Sequence, residues 1–144
     1  MTNQQEGPQY DPRNLQIIFF ALLAAQVFFL SIAFFTIEPP AFAYEVDNWL
    51  FTAIPLIALV ADIAGNRIFA KGMDSLSTTD LHKSFQKLAS IHLIRWALVE
   101  GATVLLIVFA MYYNNHFFSA LAGANIIYFI TLRPRLFTFN EGLQ

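Results

Sequence analysis

Asp62, Arg95 and Glu100 stand inside long apolar runs of a 144-residue chain. An ionisable group in hydrocarbon costs several kcal/mol unless it finds a partner, so each marks a candidate proton, ion or ligand site. Asp62 and Arg95 fall at matching depth, about 8–10 Å inside one boundary, and can face each other from neighbouring helices. The long Arg95 stem can instead carry its guanidinium back to the surface. Glu100 falls close to the midplane, with Gln26 and Asn125 within about a turn of the same level. His92, Trp96 and Glu100 follow at i, i+4 and i+8 and share one helical face, which Thr103 continues. A stripe leading from an interface to a central acid has the form that a proton path needs. The plainer role weighs more. Polar groups between membrane helices act as glue, worth about 0.6 to 2 kcal/mol each, and Glu100 bonded to Gln26 or Asn125 is the expected form of it.

Other chemistry is poorly represented. There is no Cys to act as nucleophile or ligand. His82 and His92 are separated by about 15 Å on one helix, and His116 belongs to the opposite end, so no two share a metal or haem within one chain. No His-Glu-x-x-His pattern, Gly-x-Ser-x-Gly elbow or phosphate-cradling glycine loop occurs. A net charge of −2 gives no footprint for nucleic acid. The chain is therefore expected to be no enzyme and to carry no cofactor. A quinone or lipid pocket, walled by Phe and by His92, Trp96 and Arg95, stays open. Glu100-Gly101-Ala102, a mid-bilayer acid followed by small residues, is similar to the ion-carrying helix of rotary ATPase proteolipid subunits. The chain departs from that family in having only six Gly, and in placing Asn125 where a duplicated hairpin would repeat the acid, so it is not assigned there.

The elements that position these residues are apolar helices. Hydrophobic residues make up 57% of the chain and charged residues 12%, about half the usual soluble share. Four runs, about 15–37, 49–69, 90–111 and 117–133, are long and apolar all round, which fits helices and not the alternating strands of a barrel. Pro134 closes the last of them. Pro55 should kink the second, with Thr52 at hand for the freed backbone groups. Ala61 with Gly65, Ala97 with Gly101, and Ser119 with Gly123 are small pairs four apart, suited to close helix packing. The expected fold is all-α, a single-domain four-transmembrane-helix bundle over residues 1–144.

Charge sets the expected orientation. Arg13 precedes the first run, Arg67 at the end of the second is followed by Lys71, Lys83 and Lys87 before the third, and Arg133 and Arg135 stand at the end of the fourth and just beyond it. The loop with Glu38, Glu45 and Asp47, and the turn from Tyr113 to His116, hold no Lys or Arg. By the positive-inside rule both termini are cytoplasmic, in a membrane taken to be the bacterial inner membrane. Tyr44, Trp49, Tyr112 and Tyr113 then form an outer aromatic belt. Ala41-Phe42-Ala43 has the form of a signal cleavage site, but the long apolar run and acidic leader before it predict retention. Ser77 and Asp80 have capping-box spacing, and Leu81, Phe85 and Leu88 share one face. The third helix should therefore start near Thr78 and extend into the cytoplasm, with Lys83 and Lys87 facing water or phosphates. Gly65 and Gly72 leave room for a bend where the second helix leaves the membrane. The leading expectation is a non-catalytic membrane subunit or scaffold, packing as a homo-oligomer or within a larger complex. The alternative is a proton, ion or lipophilic-ligand site built on Glu100, Asp62 and Arg95.

Overall fold

The computed structural model describes residues 12–38, 42–75 and 81–134. Four helices follow in order: α1 Pro12–Thr36, α2 Leu50–Asp74, α3 Leu81–Tyr112 and α4 His116–Thr131. No strand occurs among the described residues. Arg13–Thr36, Leu50–Asp74 and Gln86–Tyr112 are each long and apolar enough to cross a membrane, while α4 is apolar but has 16 residues, about 24 Å of helix. The helices overlap the four apolar runs, with α2 continuing past Phe69 to Asp74 and α3 beginning at Leu81. Ser77, Thr78, Asp80, Ala41, Arg135 and the Lys83 side chain lie outside the described residues, and the capping-box, cleavage-site and lysine expectations lie there with them.

The helices alternate in direction around α3, which packs against each of the other three. α2 rests on α3, and α1 and α4 pack on α3 and on each other. Two apolar cores result. One gathers Ala33, Phe51, Ile54, Leu106, Ala110 and Phe118 towards the α1–α2 loop. The other gathers Leu15, Phe19, Trp96, Val99 and Phe129 at the opposite end. There the Phe19 ring stacks on Phe129 at 4.9 Å, with Trp96 5.3 Å from Phe19. Between the cores lies a polar layer of buried Gln26, Thr103 and Asn125.

Small residues are used unevenly. Gly65 is buried where α2 meets α3, and a Cβ there would sit 3.4 Å from the Arg95 carbonyl oxygen. Gly123 faces Leu30 of α1. Gly101 has nothing within 4 Å, and Ala97 and Val104 beside it are exposed. The Ala97–Gly101 pair therefore packs against no other helix among the described residues. Thr52 also departs from expectation: its hydroxyl pairs with Tyr44 Oη and not with backbone freed by Pro55.

The α1–α2 loop is held by two consecutive asparagines of the α3–α4 turn. Asn114 adopts φ 51°, a left-handed conformation that Asn tolerates better than most residues. Its Nδ2 donates to the Glu38 carbonyl at 2.7 Å, and the Glu38 N–H donates to its Oδ1 at 3.2 Å. Asn115 repeats the pattern on Ala43, donating at 2.8 Å and accepting at 3.4 Å. Asn115 also caps α4, accepting from the Phe117 N–H at 3.0 Å. Tyr44, Phe51, Phe117 and Phe118 pack over this staple.

Candidate functional site

The predicted polar residues separate into three places. Arg95 lies where α2 and α3 touch, and its guanidinium sits over the Phe69 ring at 4.7 Å. The His92 ring packs edge-on to the same Phe69 at 4.8 Å and lies 5.3 Å from Trp96. A cation over an aromatic face is attracted by the ring quadrupole, so Phe69 supplies what Asp62 was expected to supply. Among the described residues Asp62 and Arg95 form no ion pair; Asp62 Oδ1 and Arg95 Nε are both buried without a hydrogen-bond partner.

Trp96 is fully buried, and its indole N–H donates to the Leu132 carbonyl at 3.3 Å. This satisfies one of the carbonyls that a helix C-terminus leaves unpaired, and it ties α4 to α3. Glu100 is only partly buried and makes no hydrogen bond among the described residues. It stands beside the exposed stripe of Ala97, Gly101 and Val104 and bonds to neither Gln26 nor Asn125. The mid-depth layer thus keeps Gln26 and Asn125 and loses Glu100, with Thr103 in its place. The stripe from His92 to Thr103 carries no chain of hydrogen bonds.

Asn125 is the best-connected member of the layer. Its Nδ2 donates to the Val99 carbonyl at 3.2 Å and to Thr103 Oγ1 at 3.1 Å, and Thr103 in turn donates to the Val99 carbonyl at 3.0 Å. Gln26, from α1, is fully buried with Nε2 and Oε1 both unpartnered.

Asp62 belongs to the third place, a groove of about 380 Å³ between α2 and α4 with Leu106 of α3 among its lining residues. One end is lined by Pro55, Leu59 and Leu121, the other by Asp62, Asn66, Asn125 and Tyr128. Asn66 Nδ2 donates to Tyr128 Oη and bridges α2 to α4 at the polar end. The groove exists because α2 leans on α3 and barely meets α4. Sequence reasoning found Asp62 and Asn125 but missed Asn66 and Tyr128. Asn66 lies four residues after Asp62 and Tyr128 three after Asn125, so helical spacing from each known member was the signal available. Against family models, curated proteins and solved structures alike, the chain finds no match.

Proposed function

We infer that this is a small integral membrane protein of four spans, both termini cytoplasmic in a bacterial inner membrane, acting as a non-catalytic subunit that packs sideways with copies of itself or with a larger complex. The observation that carries the reading is the bare face of α3. The helix that organises the bundle leaves Ile94, Ala97, Gly101, Val104 and Val108 exposed in one line, with open space at Gly101 and the unpartnered Glu100 at its edge. Small residues let membrane helices approach closely, and a carboxyl group at mid-bilayer depth is stabilised by a donor from a neighbour.

The orientation rests on charge placement. Arg13, Arg67, Lys71, Lys87 and Arg133 gather at the end where α1 and α3 begin and α2 and α4 finish. Glu38, Glu45 and Asp47 lie at the other end, with Trp49 and Tyr112 exposed beside them. Although α4 is short, it packs against α1 and α3, and the bilayer can thin locally to meet it at modest cost.

The chain has no Cys, so single cysteines report contacts cleanly. Oxidation in native membranes should cross-link copies of Ala97→Cys or Gly101→Cys, or capture a companion, whereas Val60→Cys on the outer face of α2 should not react. Native-mass analysis of the extracted protein should find multiples or a companion. A lone monomer with no position-dependent cross-linking would defeat this reading.

A further inference from the structure

The groove between α2 and α4 lies on the other side of α3 from the bare stripe. Leu106 stands about 180° around the helix from Ala97 and about 140° from Gly101. Its occupancy is therefore independent of sideways packing. From Pro55 to Asn66 it runs about 16 Å along α2, apolar at one end and polar at the other.

The hydrogen-bond inventory of the polar end specifies what would fit. Asn125 points Nδ2 towards α3, where the Val99 carbonyl and Thr103 Oγ1 accept from it, and its side chain also meets the Asp62 carboxyl group. Asn66 gives one hydrogen to Tyr128, which leaves its own oxygen as acceptor. Asp62 contributes a carboxyl group whose Oδ1 is buried without a partner. Against these oxygens, the side-chain donors among the lining residues are the Asn125 amide, the Tyr128 hydroxyl and the second Asn66 hydrogen. No Lys, Arg or His lines the groove. The site carries a carboxyl group with no positive charge to balance it, and its remaining length is hydrocarbon.

We propose that the α2/α4 groove binds a lipophilic primary amine, with the ammonium held by Asp62 and Asn66 and the tail lying along Leu59 and Leu121. An ammonium supplies three donors and the missing charge, and a volume of about 380 Å³ suits a single alkyl chain with a small head. A bulky phosphate headgroup would bring further acceptors to an end already rich in them.

The test uses the full chain in phosphatidylcholine vesicles and a dodecylamine carrying a photoreactive group on its tail. Labelling should map to α2 and α4 peptides and be suppressed by excess dodecylamine but not by equal dodecanol. Asp62→Asn should lower specific labelling about tenfold, as expected for loss of a charge-assisted contact. Ala124→Trp, at an exposed groove position outside the apolar cores, should abolish it while leaving helix content and thermal unfolding unchanged. Labelling spread over all outer faces and indifferent to Ala124→Trp would overturn the proposal. So would equal competition by dodecanol, or unchanged labelling in a folded Asp62→Asn protein. Should Asp62→Asn fail to fold, the amine-over-alcohol preference and the Ala124→Trp result decide alone.

Discussion

Gln26 and Asn125 are both carboxamides in the polar layer between the two apolar cores, yet their energetics should be opposite. Asn125 meets two acceptors on α3, so Asn125→Ala removes two interhelical bonds and opens space beside Thr103. The expected cost is about 1–3 kcal/mol, read from reversible unfolding in mixed micelles. Gln26 has both polar atoms buried and unpaired, a condition that costs about 1–3 kcal/mol. Met has similar volume and no such requirement, so Gln26→Met should raise stability by about 1 kcal/mol. A fall in stability would show that the Gln26 carboxamide is held by a bound water or another group. Both residues were legible in the sequence as polar interruptions at matching depth. Their partners were not, since Glu100 has the right depth and the wrong azimuth. In a helix that is apolar all round, no periodicity says which side faces inward.

The connections that align the helices rest on few residues. Asn115 caps α4 and also holds Ala43 of the α1–α2 loop, and two substitutions separate these roles. Asn115→Asp keeps an oxygen for the Phe117 N–H but cannot donate to the Ala43 carbonyl. Asn115→Ala loses both, and should be less stable than Asn115→Asp by about 1 kcal/mol, the usual worth of an N-cap. Equal melting temperatures would mean that the cap adds nothing. The glycines offer a second contrast between elements. Gly65→Leu drives a side chain into the Arg95 backbone and should destabilise the bundle by about 1–3 kcal/mol. Gly101→Leu meets open space and should leave thermal unfolding of the isolated chain unchanged while weakening Ala97→Cys cross-linking. Helix existence and extent were readable from apolar runs, polar loops and Pro134. The tandem-asparagine staple was not, because Asn114-Asn115 reads only as a polar turn until the distant backbone at Glu38 and Ala43 is brought against it.

At the scale of the whole molecule, the charge asymmetry becomes a statement about sidedness. Arg67, Lys71, Lys87 and Arg133 share one end of the bundle, where the Lys87 ammonium donates to the Ser75 carbonyl at 3.1 Å beyond the end of α2. The opposite end carries Glu45 and Asp47 in a loop pinned by asparagines. Basic residues resist translocation more than acidic ones, so the Ser75 end should face the cytoplasm and the Asp47 end the outside. Both positions are exposed, and a chain without Cys allows each to be tagged singly. A membrane-impermeant maleimide added to intact cells or spheroplasts should label Asp47→Cys and leave Ser75→Cys unmodified, with the pattern reversed in inside-out vesicles. The same experiment tests the short fourth helix, because Arg133→Cys should follow Ser75→Cys if α4 crosses the bilayer. Arg133→Cys reacting together with Asp47→Cys would instead mean that α4 returns without crossing, leaving the three longer helices as the spans. Complete reversal of all three sites would retain the four-helix arrangement and overturn its orientation. Labelling of Ser75→Cys and Asp47→Cys from one side would show that α2 does not cross, and the groove beside Asp62 would then open to water.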